Sequence, residues 1–266
     1  MRINNNITAL NSHRQYGINN NAIGRNVEKL SSGFRVNRAG DDAAGLAISE
    51  KMRTQIRGLN MASKNSQDGI SLVQTAEGAM QTAHNIMQRM RELAVQSRNG
   101  TNDGDNGVDR GALNLEYEQL TAELGQIEST VKFNDMTVFG TPFTLQTGAN
   151  AADTTTFSIG SIGNITVTSI ATEANAGLAI TAMTSSINAL STSRATLGAI
   201  QNRLEFKIQN LDNSAENLTA AESRIRDVDM AKMMTEFTKN NILFQASTAM
   251  LAQANALPQS VLQLLG

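Results

Sequence analysis

Two adjacent carboxylates, Asp41 and Asp42, are the residues whose type and spacing point most directly to acid–base or metal chemistry. They lie in the run Gly40–Gly45 and precede a long helical pattern. No histidine, cysteine or further acid within reach completes a catalytic or metal-binding set. A carboxylate at the start of a helix accepts hydrogen bonds from free N–H groups and complements the helix dipole. The sequence therefore predicts helix capping here.

A second candidate is a calcium site in the loop Asn99–Gly111, where Asp103, Asp105 and Asp109 alternate with other residues. A calcium loop of the EF-hand type that starts at Asp103 needs glycine at its sixth position and glutamate at its twelfth. The sequence has Val108 and Asn114 at those positions. We therefore interpret the segment as a turn-rich loop between two helices.

Other catalytic signatures are missing from the sequence. The two histidines, His13 and His84, do not form an HExxH motif, and there is no GxGxxG, GxxxxGK[ST] or GxSxG sequence. The basic residues around Glu50 are interpreted as ion-pair partners rather than as a phosphate site. The sequence predicts a protein that is not an enzyme, with no catalytic, cofactor-binding or metal-binding residues and no cofactor.

The composition limits which folds and which binding partners are expected. The chain has 40% hydrophobic residues but only 4% aromatic ones, with no tryptophan, no cysteine and two prolines, so narrow packing of long helices is expected. Its net charge of −2, without blocks of like charge, argues against nucleic acid or membrane insertion. The first residues lack the basic and apolar segments of a cleaved signal peptide, so export by another route is expected if the protein leaves the cell.

The apolar spacing predicts three long helices. Seams with steps of three and four residues run through 72–93, 113–131 and 180–225. The last is sustained over six heptads and is typical of a coiled coil. Between the second and third helices, from Phe133 to about Ile170, the period changes to two, and we expect short, outward-facing strands there. The apolar residues that alternate with polar ones in these strands are Phe143/Leu145, Phe157/Ile159 and Ile165/Val167.

The fold class predicted is mainly α: an elongated antiparallel helical bundle of coiled-coil-like rods, with a small β-hairpin region in the middle of the chain. Both ends of the chain also have helical seams, but the N-terminal one is interrupted by Asn and Gly, and the C-terminal one has no apolar partner within the rods. Both are expected to become ordered only when other chains cover them. The terminal seams comprise Ile3, Ile7, Leu10, Ile23, Val27 and Leu30, and Leu243, Ala246, Met250, Ala254, Leu257, Val261 and Leu264.

Three segments resemble the terminal signatures of bacterial flagellin. They are SSGFRVNRAGDDAAGLAISEKMR at 31–53, QRMRELAVQS at 88–97 and NNILFQASTAMLAQANALPQSVLQLL at 240–265. The resemblance covers nearly all of residues 1–140 and 180–266, in order and at both ends of the chain.

The resemblance implies four parts: an N-terminal core helix (1–38), a rod part with two helices and the β region of about 133–170 (39–179), a C-terminal rod helix (180–225) and a C-terminal core helix that pairs with 1–38 (226–266). No large outer variable domain is expected. The family's polymerisation core corresponds here to Ile3, Ile7, Leu10, Ile23, Val27, Leu30, Leu243, Met250, Leu257, Val261 and Leu264.

The resemblance also implies a function. A flagellin polymerises with itself into the extracellular helical filament used for swimming, after unfolded export by the flagellar type III apparatus. Its other partners are the hook-associated and cap proteins, a secretion chaperone at the C-terminal segment, and a Toll-like innate receptor of hosts. The receptor patch corresponds here to Gln88, Arg89, Leu93 and Glu116. The alternative is a hook–filament junction protein, which shares such chain ends.

Overall fold

The structure is a computed structural model that describes residues 6–102, 104–162 and 169–265, with side chains up to residue 256. It has five helices and four strands in the described ranges. The helices are α1 (Ile7–Ser32), α2 (Ala43–Ser97), α3 (Val108–Thr130), α4 (Glu173–Arg226) and α5 (Met230–Leu265). The strands are β1 (Lys132–Phe133), β2 (Met136–Thr137), β3 (Pro142–Gln146) and β4 (Thr154–Ser158). The prediction of a mainly helical chain with a small central β region is confirmed.

The chain divides into two compact units. Unit 1 comprises Met1–Thr54 and Glu216–Gly266, and unit 2 comprises Gln55–Ala215. Unit 1 therefore contains both terminal helices, and unit 2 contains α3, the four strands and most of α2 and α4.

The helix ends in unit 1 follow local capping rules. The N–H of Gly45 donates to Oδ1 of Asp42 at 2.8 Å, so Asp42 caps the start of α2, as predicted. The side chain of Asn6 accepts from the N–H of Ala9 at 3.0 Å and caps α1. Gly33 ends α1 with φ of 75°, a left-handed conformation that favours glycine.

The core of unit 2 is built on a seven-residue repeat in α4. Six side chains at that spacing are buried: Ala176, Met183, Leu190, Leu197, Leu204 and Leu211. The helix starts at Glu173, earlier than the predicted Ile180, because Ala176 and Ala179 continue the buried face with small side chains that give a weak apolar signal.

Residues of α2 and α3 complete the core of unit 2. In α2, Met80, Met87 and Met90 are fully buried. In α3, Tyr117 and Leu124 are buried, and burial raises the pKa of the Tyr117 phenol to about 12. The apolar seams predicted for both helices therefore lie in the core or against it.

Two antiparallel hairpins form the β region. β1 and β2 are joined by Asn134 and Asp135, which both adopt positive φ, as a tight two-residue turn requires. β3 pairs with β4 in a register that places Phe143 opposite Phe157, with ring centroids 6.1 Å apart. The strands predicted around Phe143/Leu145 and around Phe157 are confirmed, with Ile159 one residue beyond the end of β4, whereas Ile165/Val167 lies outside the described residues.

One face of the second hairpin packs inward, which corrects the expectation that this region faces outward. Phe157 and Ile159 are buried. Gly69 of α2 permits the contact, because a Cβ at this position would lie 2.2 Å from Cδ1 of Leu145 in β3. The alternation in β4 leaves its Ser and Thr residues mostly on the opposite face, apart from the buried Thr155.

Candidate functional site: the paired terminal helices and the Arg89 patch

In unit 1, α1 packs against α5 through polar side chains. Nδ2 of Asn19 donates to Oγ of Ser247 at 2.9 Å and to the carbonyl of Leu243 at 3.3 Å. Nδ2 of Asn6 donates to the carbonyl of Ala254 at 2.8 Å. Amide contacts of this kind fix the register of two helices, because a slip along the axis leaves buried polar groups unpaired.

One aromatic pair adds to this contact. The rings of Tyr16 and Phe244 lie 4.8 Å apart between centroids. Tyr16 and Phe244 are half-buried, and the buried side chains among the described residues of α1 and α5 are small or polar: Asn19, Asn26, Ser247 and Ala254. Ile7 and Leu10 of the predicted N-terminal seam are exposed and therefore do not lie on the face that α1 turns toward α5, whereas Ile23 and Leu30 are half-buried.

The apolar residues predicted for assembly lie mostly on the surface of the pair. Exposed fractions are 69% for Ile7, 66% for Leu10, 48% for Val27, 41% for Leu243 and 60% for Met250. Ile23 and Leu30 are half-buried. Ile3 lies outside the described residues, as do the side chains of Leu257, Val261 and Leu264.

The exposed apolar face includes residues that the sequence analysis did not select. Ile18 on α1 is 51% exposed, and Met230, Met234 and Ile242 on α5 are 49%, 48% and 61% exposed. Among the described side chains, the pair thus buries mainly polar groups and leaves several large apolar side chains exposed beside its polar ones. Exposed apolar side chains that form a patch mark a protein interaction site.

A junction at the base of the pair links segments that are far apart in the sequence. The N–H of Arg35 donates to the carbonyl of Arg226 at 2.7 Å, and the N–H of Val228 donates to the carbonyl of Gly33 at 3.0 Å. Nη1 of Arg226 donates to Oε1 of Glu50 at 2.6 Å. The sequence predicts ion pairs around Glu50 but not its partner Arg226, because 176 residues separate the two.

In unit 2, an ion pair joins α2 to α3. Nε and Nη2 of Arg89 donate to Oε1 and Oε2 of Glu116 at 2.8 and 3.3 Å. These two hydrogen bonds to Glu116 raise the pKa of Arg89. The carboxylate of Glu92, 3.4 Å from Nη1 of Arg89, raises it further. Both partners of the pair are exposed, so the pair contributes little stability and displays its charges at the surface.

Three of the four residues expected in the receptor patch are accessible. Gln88 is exposed next to Arg89, and its Nε2 lies 2.9 Å from Nε2 of His84. Leu93, in contrast, is fully buried in the core of unit 2. Leu93 is therefore not part of the accessible surface of the patch but lies beneath it.

The loop tested as a calcium site is held by an arginine that the sequence analysis did not select. Arg110 is buried, and it donates from Nε to the carbonyl of Ser97 at 3.0 Å and from Nη1 to Oδ1 of Asp105 at 2.9 Å. The same carboxylate oxygen accepts from the N–H of Glu173 at 3.0 Å. Through these two hydrogen bonds Asp105 joins the loop to the start of α4.

The chain matches two family models over most of its length. Residues 3–144 match the bacterial flagellin N-terminal helical region, and residues 180–265 match the bacterial flagellin C-terminal helical region. Within the part of the chain that the structure describes, no helix is both long and apolar enough to cross a bilayer.

Curated relatives match from end to end. The chain is 56% identical to a flagellin of Halalkalibacterium halodurans and 51% identical to a flagellin of Bacillus subtilis, with 100% of each chain covered. It is 47% identical to a flagellar filament core protein of Treponema maltophilum, again over 100% of each chain.

A solved structure agrees with these relatives. The crystal structure of Bacillus cereus flagellin aligns with a TM-score of 0.51 and 32% identity, covering 60% of this chain and 94% of that one. The paired terminal helices, the helical core of unit 2 and these full-length matches lead to one conclusion. The chain belongs to the bacterial flagellin family.

Proposed function

We propose that this chain is a structural subunit that polymerises through its paired terminal helices into the helical bacterial flagellar filament, outside the cell. The observation that carries the proposal is the set of exposed apolar side chains on the α1–α5 pair, among them Leu10 and Ile242, which are 66% and 61% exposed. Burying a side chain of this size contributes about 1.5–3 kcal/mol. The same helix pair in neighbouring subunits covers these exposed side chains.

A filament rather than a closed ring requires a heterologous contact between subunits whose rotation does not close. A contact between two different surfaces repeats indefinitely when its rotation does not close. The alternative role, at the junction between hook and filament, requires few copies. No observation favours it, since the relatives described above carry the names flagellin and flagellar filament core protein.

The decisive experiment removes residues 240–266 and measures assembly by electron microscopy. We expect a monomer that forms no filaments under conditions in which the full chain does. A double variant, Ile242→Gln and Met250→Gln, keeps the contacts of Ser247 and Ala254 with α1 and alters only exposed positions. Filaments from the truncated chain, or from the double variant at an unchanged critical concentration, would contradict the proposal.

The terminal segments also support a route of export. A chain that passes unfolded through the type III apparatus must order its ends afterwards. Before export, the exposed apolar side chains of α5 are a binding site for a secretion chaperone. We expect hydrogen exchange at residues 1–38 and 226–266 to be much slower in filaments than in monomers. Equal protection in monomers and filaments would remove the coupling of order to assembly.

The remaining partners follow from the same assignment. The filament subunit meets hook-associated proteins at one end and a cap at the other. The patch of Gln88, Arg89 and Glu116 is the proposed contact for a Toll-like receptor of hosts, with Leu93 supporting it from the core.

A further inference from the structure

The loop between α2 and α3 contains two asparagines that are each followed by glycine. They are Asn99, before Gly100, and Asn106, before Gly107, and both asparagines are exposed. In such a pair the backbone nitrogen of the glycine can attack the side-chain amide of the asparagine, because glycine has no Cβ to hinder the approach. The two pairs are chemically alike, so the structure around each pair decides how readily it reacts.

The glycine nitrogen of the second pair is already engaged. The N–H of Gly107 donates to the carbonyl of Gly104 at 2.8 Å, and Gly107 is the N-cap of α3. On the other side of the pair, the N–H of Asn106 donates to the carbonyl of Ala171 at 3.0 Å. Attack by the Gly107 nitrogen would cost its hydrogen bond and would have to move a backbone that is held on both sides.

The first pair has the opposite arrangement. Gly100 is exposed, and its N–H donates to no acceptor within the described ranges. The N–H of Thr101 donates to Oδ1 of Asn99 at 3.5 Å. An asparagine side chain bonded to the backbone two residues further on folds back over the peptide group between them. The side-chain amide carbon of Asn99 therefore lies next to a backbone nitrogen that is free to attack it.

We propose that Asn99 is a site of spontaneous deamidation and isoaspartate formation, and that Asn106 is protected from this reaction. The Gly100 nitrogen loses its proton to hydroxide and forms a bond to Cγ of Asn99, and the side-chain nitrogen leaves as ammonia. Water then opens the cyclic imide. Breaking the bond from the nitrogen to Cγ gives aspartate, whereas breaking the bond from the nitrogen to the backbone carbonyl carbon gives isoaspartate.

The isoaspartate product changes the contacts of the loop with a buried cation. The carbonyl of Asn99 accepts from the N–H of Asn102 at 3.3 Å and from Nη2 of Arg110 at 3.5 Å. In isoaspartate this carbonyl becomes a carboxylate, so a negative charge forms beside the buried guanidinium. A charge-assisted hydrogen bond is stronger than one to a neutral carbonyl. The loop thus gains a charge beside Arg110, and the change accumulates with the age of the molecule.

The first test compares the two asparagines within one chain. The purified, unassembled protein is incubated at neutral pH, and tandem mass spectrometry of its peptides measures aspartate and isoaspartate at each position. We expect conversion to be at least about tenfold faster at Asn99 than at Asn106, because two hydrogen bonds hold the second pair. Equal rates in the folded chain, faster conversion at Asn106, or a product at Asn99 without isoaspartate would overturn the inference.

The same measurement in denaturant separates the effect of structure from that of sequence. In the unfolded chain both glycine nitrogens are free, so we expect the rates at Asn99 and Asn106 to become similar. Most of this change should come from faster conversion at Asn106. A difference between the two sites that is as large in the unfolded chain as in the folded one would assign the selectivity to the local sequence and overturn the structural account.

Two glycine variants test the attacking group. A Cβ at Gly100 meets nothing within 4 Å, so Gly100→Ala hinders the nitrogen without a clash in the folded chain. Gly111→Ala on α3 is the matched control, since its Cβ also meets nothing within 4 Å and it lies outside both pairs. Circular dichroism checks that both variants fold. We expect slower conversion at Asn99 only in Gly100→Ala, and an undiminished rate there would exclude attack by the Gly100 nitrogen.

This inference is independent of the proposed function, because the reaction needs only the folded chain and water. A chain that forms filaments but converts both asparagines at one rate would overturn the modification site and leave the filament function standing. A chain that converts Asn99 selectively but forms no filaments would do the reverse.

Discussion

The guanidinium of Arg226 lies over the ring of Phe34, with its carbon 4.7 Å from the ring centroid. Arg226 is the last residue of α4, and Phe34 follows the end of α1. An isolated bridge between Phe34 and Asp227 runs alongside this contact. The two residues therefore join the segment that follows α1 to the end of α4, just before α5 begins.

Replacing this arginine should loosen the junction. Arg226→Met keeps an unbranched side chain against Phe34 but loses the charge, and the lost cation–π contact is worth about 0.5–2 kcal/mol. We expect faster hydrogen exchange at Val228, whose N–H donates to Gly33. Arg224→Met, at an exposed position of the same helix, is the control and should leave this exchange rate unchanged.

The same junction should respond to acid. The hydrogen bond from Arg226, with a further contribution from Arg53, holds the pKa of Glu50 below its usual value. A carboxyl with a depressed folded-state pKa stabilises the fold above its ordinary pKa of about 4.3, and this contribution is lost as the pH falls through the depressed value. An NMR titration should show the pKa of Glu50 rising in Arg226→Met; an unchanged value would contradict the pairing.

The polar contact between the terminal helices can be measured by a double-mutant cycle. Asn19→Ala and Ser247→Ala remove the two partners of the 2.9 Å hydrogen bond. We expect a coupling free energy of about 0.5–1.5 kcal/mol from hydrogen exchange in unit 1. Asn20→Ala, at an exposed neighbouring position, should combine additively with Ser247→Ala. Additive effects of Asn19→Ala would show that this bond does not hold the pair.

Two glycines of α2 should respond in opposite ways to the same substitution. Gly69→Ala places a Cβ 2.2 Å from Cδ1 of Leu145, so the Leu145 side chain must move, at a cost of about 0.5–1.5 kcal/mol if it leaves its preferred rotamer. A Cβ at Gly78 meets nothing within 4 Å, so Gly78→Ala should stabilise the helix by about 0.5–1 kcal/mol. Thermal unfolding of the two variants measures both effects. Equal changes in stability would argue against the close approach of β3 to Gly69.

The receptor patch is testable on monomers. Arg89→Ala removes the bond of 2.8 Å to Glu116 and exposes that carboxylate without its partner. We expect a reduced signal from receptor-reporter cells and almost no change in stability, because the pair is exposed. Gln81→Ala, on the exposed part of α2, is the control. An undiminished signal from Arg89→Ala would remove Arg89 from the patch.

The sequence predicted the helices of unit 2 well, because their buried residues repeat at helical spacing. Met183, Leu190 and Leu204 lie in the core as the seam predicted. Spacing alone could not show which neighbour covers a seam. On α1 the Ile and Leu residues have helical spacing, yet Asn19 and Asn26 are the buried residues. A helix that pairs through amides can have the same apolar spacing as a helix that buries its apolar residues. The spacing therefore does not show which face is covered within the chain.

Part of the candidate site was also predicted from the sequence. The resemblance identified Arg89 and Glu116, which the structure brings together across 27 residues. It also carried over Leu93, whose burial depends on how α2 packs in unit 2. Arg226 was missed because its partners, the ring of Phe34 and the carboxylate of Glu50, are distant in the sequence. Arg110 lies only five residues from Asp105, but its burial and its bond to the carbonyl of Ser97 leave no local pattern in the sequence.

The buried repeat of α4 has a further geometric consequence. An undistorted α-helix has 3.6 residues per turn, so positions seven apart drift by about 20° around its axis. Over the five intervals between Ala176 and Leu211 that drift would reach about 100°, yet all six side chains are buried. A straight neighbour could not cover such a row, so in unit 2 α4 and the helices it packs against must wind around each other with a left-handed twist.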